Sequence, residues 1–555
     1  MEKIKSNIVK TLMLATVAAV FTLSSCKDDT TDPVFTDPTI TVTPTTTSQA
    51  PGGVVTYSIA IVAPAGAASV KIGDTEVKSY STATTADAFT VDYTVPADAP
   101  QGDKTLTFTV TDKQATAKTG TTTATVTVGK ATVIVDATIT ANTTWSASKY
   151  YLLKGNVYVQ SGAELTIEPG TIIFGDKVTK GALIVSRGAK IHAKGTAAAP
   201  IIFTSSAPKG FRNYGDWGGV VLLGKAVNNQ SADQTIEGVS AATGDNGKYG
   251  GTADDDNSGE FYYARIEFAG IALSTDNELN GLTMGSVGST TQVHHIQVSF
   301  SGDDSYEWFG GTVNTQYLVA YRGWDDEFDT DFGFRGNNQF LASFRDPNIA
   351  DKSGSNGFES DNDGSGSLVK TPVTAPKFSN VTIYGPFVYA ALSGGALKGS
   401  NASNNYQHGG HLRRNTAIQI YNTAIVGWGP IDGVFFEKTN AAAVFKGNYL
   451  GRTLGALKNA TPATSNPYDD SNFATDNPKI EASQATVDLS TTFAGMTGAM
   501  DIASPNGQLA AASPLLSGAV TVPTGLTQTT YIGAFDGTTN WMTGWTNFDP
   551  INTQY

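Results

Sequence analysis

Between Asn156 and Thr204 the chain repeats short apolar segments closed by glycine corners, with no helical periodicity between them. Val157-Tyr158-Val159, Leu165-Thr166-Ile167, Ile172-Ile173-Phe174, Leu183-Ile184-Val185 and Ile201-Ile202-Phe203 are of this kind. Strands this short bury too little surface to stand alone, so each must stack on a neighbour. The pattern predicts an all-β chain whose main domain, residues 131–555, is a right-handed parallel β-helix with a C-terminal cap at Trp541, Trp545 and Phe548.

Further along, five segments share the order Asn or Asp, any residue, apolar, any residue. They are Asn280-Gly-Leu282-Thr283, Asp304-Ser-Tyr306-Glu307, Asp326-Glu-Phe328-Asp329, Asn356-Gly-Phe358-Glu359 and Asp432-Gly-Val434-Phe435. The first four lie 24, 22 and 30 residues apart, which suits coils carrying loops of different length. Aligned, Leu282, Tyr306, Phe328, Phe358 and Val434 form one inward column. Asn280, Asp304, Asp326, Asn356 and Asp432 form a turn column. Thr283, Glu307, Asp329 and Glu359 fall beside it, turned outward by the period of two.

This alignment concentrates carboxylates. Asp303, Asp304, Glu307, Asp325, Asp326, Asp329 and Glu359 gather at the corners, with Glu327, Asp331, Asp361 and Asp363 near in sequence. At the strand spacing of about 4.8 Å two unit charges repel by about 1 kcal/mol in water, and ~3 kcal/mol at an effective dielectric of 20. Turn residues can spend their oxygens on backbone amides. A hard cation such as Ca²⁺ can bridge the rungs. Alternatively a carboxyl with a raised pKa serves catalysis, with Asp304, Asp326 and Asp329 as the candidates.

Other motifs carry less. The acidic run from Asp254 to Glu260 lacks EF-hand spacing and reads as a solvated loop. His294 and His295 adjoin on a strand, so they should point to opposite faces and not share a metal. His408 and His411 flank two glycines in a polar loop, a weak metal signal. Arg413 and Arg414 have the geometry to receive a carboxylate or phosphate. Trp308, Phe309, Trp324, Phe332 and Phe334 adjoin the acids and suit either sugar stacking or, more commonly, an internal aromatic stack.

The N-terminal region reads differently. Lys3, Lys5 and Lys10 precede an apolar run too short to span a bilayer, which closes on Leu23-Ser24-Ser25-Cys26. Cys26 is the only cysteine in 555 residues, so neither a disulfide framework nor a cysteine metal site is available. Residues 1–25 are expected to be a signal peptide and 26–38 a flexible tether; 39–130, with short alternating stretches at Thr39–Val42, Val54–Ile61, Phe89–Val95 and Leu106–Val110, an Ig-like β-sandwich serving as spacer. A net charge of −14 sets aside nucleic acid and anionic headgroups as partners.

The Leu-Ser-Ser-Cys ending resembles a bacterial lipobox. Lys27-Asp28-Asp29 resembles the acidic tag that sends lipoproteins to the outer face of the outer membrane in Bacteroidetes-type bacteria. On that resemblance Cys26 is the lipidated first residue, and two or three acyl chains at roughly 0.8 kcal/mol per methylene anchor it stably. The segments FYYARIEFAG (261–270), WDDEFDTDFGFRGNNQF (324–340), HLRRNTAIQIYNTAIVGW (411–428) and YIGAFDGTTNWMTGWTNFDP (531–550) carry a second likeness. Over about 131–555 the chain resembles β-helical surface lipoproteins of Bacteroidetes, related to a major leptospiral outer-membrane lipoprotein. That resemblance implies a pectin-lyase-like fold, a place on the cell surface and a link to TonB-dependent transporters, and it carries over no catalytic residue.

The fold is also similar to that of pectate lyases and polygalacturonases. A lyase of that kind needs an Asp cluster for Ca²⁺ and an Arg or Lys base, for which Arg322, Arg335 and Arg345 are near in sequence. Polygalacturonase-like enzymes carry Asn-Thr-Asp, Asp-Asp and Gly-His-Gly in that order. Here Asp303-Asp304 precedes Asp329-Thr330-Asp331, and His408-Gly409-Gly410-His411 replaces the last. An inverting pair would need carboxylates about 6.5–9.5 Å apart, for which Asp304 and Asp329 are candidates. The sequence therefore favours a non-catalytic surface lipoprotein that binds a glycan or nutrient, with structural Ca²⁺ on the acids. A Ca²⁺-dependent lyase or inverting glycosidase, and a purely structural coat or adhesin, are the alternatives.

Overall fold

Two units make up the chain, Met1–Gly129 and Lys130–Tyr555. The computed structural model describes residues 34–237, 239, 244–274, 277–365, 368–386, 405–428, 432–451, 457–459, 466–480, 492–493, 496–497 and 501–555. Cys26 and the expected signal peptide lie outside the described residues.

Apolar and polar residues alternate along the first unit, and six strands result: β1 (Thr39–Thr43), β2 (Thr46–Gln49), β3 (Val54–Ile72), β4 (Thr75–Thr94), β5 (Gly102–Asp112) and β6 (Thr119–Val128). They form one hydrogen-bonded sheet of order β1-β3-β5-β6-β2, with β4 paired to β3. Two strands are far longer than the short segments expected from sequence. The pairing of β3 shifts register between Val62 and Ala67, where Gly66 takes φ +85°. Past that bend β3 exchanges β1 for β5 as its partner, so a single long strand serves two neighbours. Tyr57, Ile59, Phe108, Val110 and Val126 fill the core between them.

The second unit is a parallel β-helix. One ten-stranded parallel sheet runs from Asn156–Val159 to Leu457–Asn459, and a larger sheet carries the other faces of the coils. The inward column expected from sequence is observed: Leu282 pairs with Tyr306, Tyr306 with Phe328 and Phe328 with Phe358. Val434 belongs to the same column two rungs on, with Gly410 between. Each of the five apolar residues is fully buried. The rings of Tyr306 and Phe328 stack at 5.7 Å, and those of Trp308 and Phe334 at 5.5 Å. Burying such side chains contributes roughly 1.5–3 kcal/mol each, and ring pairs about 0.5–1.5 kcal/mol more. The Tyr306 hydroxyl donates to Ile296 O at 2.7 Å, so its polar tip is satisfied inside the coil.

In the larger sheet Tyr263, His295, Tyr317, Phe340, Asn380 and Asn422 occupy one corner column, each with φ between 47° and 62°. The left-handed residue breaks the period of two. His294 and His295 therefore do not point to opposite faces, as strand alternation had suggested: their Nδ1 atoms lie 2.9 Å apart. Ring stacking continues along the column, His295 against Tyr263 and Tyr317 at 4.4 Å each.

The C-terminal segment is not an end cap. It runs back along the side of the coils as a strap, tied by paired side-chain amides. Asn422 exchanges hydrogen bonds with Val520, Gln339 with Thr527, and Gln297 with Asn547. Trp545 meets the edge of His295 at 5.7 Å, and Tyr555 donates to buried Glu267. At the far coils Phe473, on the short helix Asp470–Asp476, stacks on Phe445 at 5.3 Å.

A stack of buried asparagines supports this end. Asn448 Oδ1 accepts from Thr423 N at 2.8 Å, and Asn477 Oδ1 accepts from Asn448 N at 3.0 Å. Asn448→Leu leaves the Thr423 amide without its acceptor, so a loss of about 1–3 kcal/mol is expected in denaturant unfolding.

Candidate cation site

The turn column stacks as the alignment requires, and part of its chemistry is local. Asp304 Oδ1 accepts from Asp326 N at 2.8 Å, Asp326 Oδ1 from Asn356 N, and Asn356 Oδ1 from His408 N at 3.0 Å. Asp304, Asp326 and Asn356 thus each give one oxygen to the next rung's amide, whereas Asn280 does not. That accounts for only one oxygen of each aspartate.

The outward neighbours lie in register, Glu307 beside Asp329 and Asp329 beside Glu359. They face away from the coil interior, as strand alternation implies, and are half-buried rather than fully exposed. They line a half-open cavity of about 200 Å³. Its lining includes Asp303, Asp304, Glu307, Asp325, Asp326, Asp329 and Glu359, together with Asn280, Glu237 and Arg413. All seven carboxylates singled out by the sequence converge there. Glu237 comes from a distant loop and has no local signal in the sequence.

Oxygens of Asp303, Asp304 and Asp325 approach within 4.8 Å of one another, as do those of Asp304, Glu307 and Asp329. Asn280 Oδ1, Asp325 Oδ1 and Asp329 Oδ1 are buried without a hydrogen-bond partner. Burial pushes the carboxyls of Asp303, Asp304, Glu307, Asp325 and Glu359 well above the usual carboxylate range, and neighbouring carboxylates add to the effect. Asp326 and Asp329 are pushed up to about 7, by burial first and then by Asp329 and Asp361 respectively. These acidic groups can hold a metal ion, because oxygen donors clustered this closely, some of them unpartnered, meet the needs of a hard cation.

The cationic side chains near the site are already paired, Arg413 with a carboxylate of the site itself. Arg413 pairs with Glu359 and Asp361, and Arg414 with Asp361. Arg322 pairs with Asp346 at 3.1 Å, Arg335 with Asp254 at 3.0 Å and Arg345 with Glu327 at 3.2 Å. The three arginines considered as a lyase base are therefore all ion-paired. Asp304 and Asp329, at 4.8 Å or less between their nearest oxygens, are closer than the inverting spacing of about 6.5–9.5 Å.

The remaining candidates are also placed. Asp254 and Asp256 accept from the amides of Val227 and Lys225, as a self-satisfied loop would. His411 Nε2 lies 2.8 Å from Glu437, and its Nδ1 3.8 Å from Glu359; these carboxylates come from other coils. Trp308 and Phe334 are internal, and Phe309 and Phe332 join a small cluster with Tyr249. Of the five aromatics, Trp324 lines a second cavity of about 520 Å³ beside the first.

Fold and site together define a parallel β-helix protein with a carboxylate-lined cavity over one row of corners. The chain belongs to the family described as pectate-lyase-like β-helix domain, whose model matches residues 137–546. Comparison with curated proteins and with solved structures gives no match.

Proposed function

We propose that this chain is a non-catalytic, lipid-anchored protein of the outer-membrane surface, akin to the Bacteroidetes β-helical lipoproteins and their leptospiral relative. Cys26 carries the anchor. The β-helix presents a Ca²⁺-braced corner to an extracellular glycan or nutrient, for delivery to a TonB-dependent transporter. The observation that carries the cation part is the convergence of seven carboxylates on one cavity beside an unpartnered Asn280 Oδ1. Commitment of Arg322, Arg335 and Arg345 to ion pairs favours binding over lyase chemistry.

Thermal unfolding with and without CaCl₂ tests the cation. Saturation at a hundred times the dissociation constant is expected to stabilise the folded state by about 2.7 kcal/mol, and EDTA should reverse it. An unchanged melting temperature at millimolar Ca²⁺ overturns the reading. Incubation with polyuronides should release no unsaturated product; its appearance would make the protein an enzyme.

A further inference from the structure

The two acidic triads share Asp304 but differ in surroundings. Glu307, Asp329 and Asn280 line the inner cavity alone, whereas Asp303 and Asp325 line both the inner cavity and the larger one beside it. Asn280 is only 5% exposed; its amide nitrogen donates to Glu307 and its Oδ1 has no partner. A buried carbonyl-type oxygen so placed is costly unless a cation meets it.

The larger cavity has different walls. Half-buried Trp324 packs edge-on to Tyr214 at 5.3 Å and offers an apolar flank beside Ile271. Five carboxylates line the cavity against two lysines, one of which, Lys177, is paired with Asp216 at 2.9 Å. Ser353 Oγ lies 2.8 Å from Asp325 Oδ2 and 2.6 Å from Asp351 Oδ2, which fixes the acid edge nearest the outer triad.

We infer that the triads hold two divalent cations of unequal role: an inner one that braces the coil corner, and an outer one whose open positions take vicinal hydroxyls of a neutral sugar. The inference rests on the cation reading above. Ca²⁺ takes six to eight oxygens in flexible geometry, and the outer triad supplies three carboxylates among the described residues. Asp303 and Asp325 also line the larger cavity, so the remaining positions would open towards it. A polyanion there would meet surplus carboxylates, whereas a neutral hydroxyl pair would not. The sugar's C–H face would lie against Trp324.

Calorimetric titration of the full chain, first with CaCl₂ and then with methyl glycosides of mannose, fucose and galactose, tests this. Two equivalents of Ca²⁺ are expected. Glu307→Gln, or Asp329→Asn should the first not fold, should lose one equivalent and most of the thermal shift while keeping sugar binding. Asp303→Asn should lose the other equivalent and sugar binding while keeping most of the thermal shift. Trigalacturonate should bind at least about tenfold more weakly than the best neutral glycoside. A single equivalent of Ca²⁺ overturns the division of roles but leaves the cation reading standing; none overturns both. Silence of all three glycosides, preference for trigalacturonate, or Ca²⁺-independent binding of spermidine overturns the ligand class.

Discussion

Arg345→Met is expected to destabilise the β-helix by about 3–5 kcal/mol, because it leaves the Glu327 carboxylate buried and unpaired. Both side chains are fully buried, 3.2 Å apart. The guanidinium also donates to the carbonyls of Trp324, at 2.6 Å, and Asp325. It therefore holds from inside the corner that presents Asp325 and Asp326 outside. Denaturant unfolding should show the loss, with Ca²⁺ affinity falling as the corner loosens. Arg345→Met combined with Glu327→Leu should recover much of the stability, since an apolar pair of similar volume removes the stranded charge. A loss below about 1 kcal/mol for the single variant would mean that Glu327 is protonated and needs no partner.

In EDTA the stability of the protein is expected to fall as pH rises from about 4 through about 7, and to go on falling towards pH 8. Two sets of groups set this shape. His295 and His408 are held down at about 4 and about 3, chiefly by burial. The unfolded chain takes up protons on histidine near pH 6.5 that these two refuse, so they oppose the fall up to that value, but the raised carboxyls outnumber them. Asp326 and Asp329, pushed up to about 7, keep protons that unfolded carboxyls lose near pH 4. Their contribution is whole below pH 4 and disappears as pH passes about 7. Carboxyls raised further, such as Asp304 and Glu307, extend the decline upward. The fall should amount to a few kcal/mol, at ~1.4 kcal/mol for each tenfold change in proton binding. Millimolar CaCl₂ should abolish it and release protons on binding, because the cation takes the place of bound protons. Stability that rises from about pH 4 to pH 8 in EDTA would show the acids already neutralised by other means.

The rung register was legible because two local rules coincide there. A corner Asn or Asp and an apolar residue two places on recur once per coil, and Leu282, Tyr306, Phe328 and Phe358 pair as that spacing demands. The next rung escaped because Gly410 stands where the apolar residue should be and His408 where the corner amide should be. The strap escaped for another reason: partners such as Gln297 and Asn547 are 250 residues apart, and reciprocal amide bonds leave no local signature. His295 was misread because a left-handed residue inside a strand looks, in one dimension, like any other.

What the sequence determines alone is the stacking: identical corner chemistry on successive coils forces the carboxylates over one another at the strand spacing. Tertiary structure decides what those charges experience. Loops from other coils bring Glu237 and Asp351 to the cavities, which turns an exposed acidic face into a half-buried one. Electrostatic energy at fixed spacing depends on the surrounding dielectric, and the dielectric is set by residues far apart in the chain.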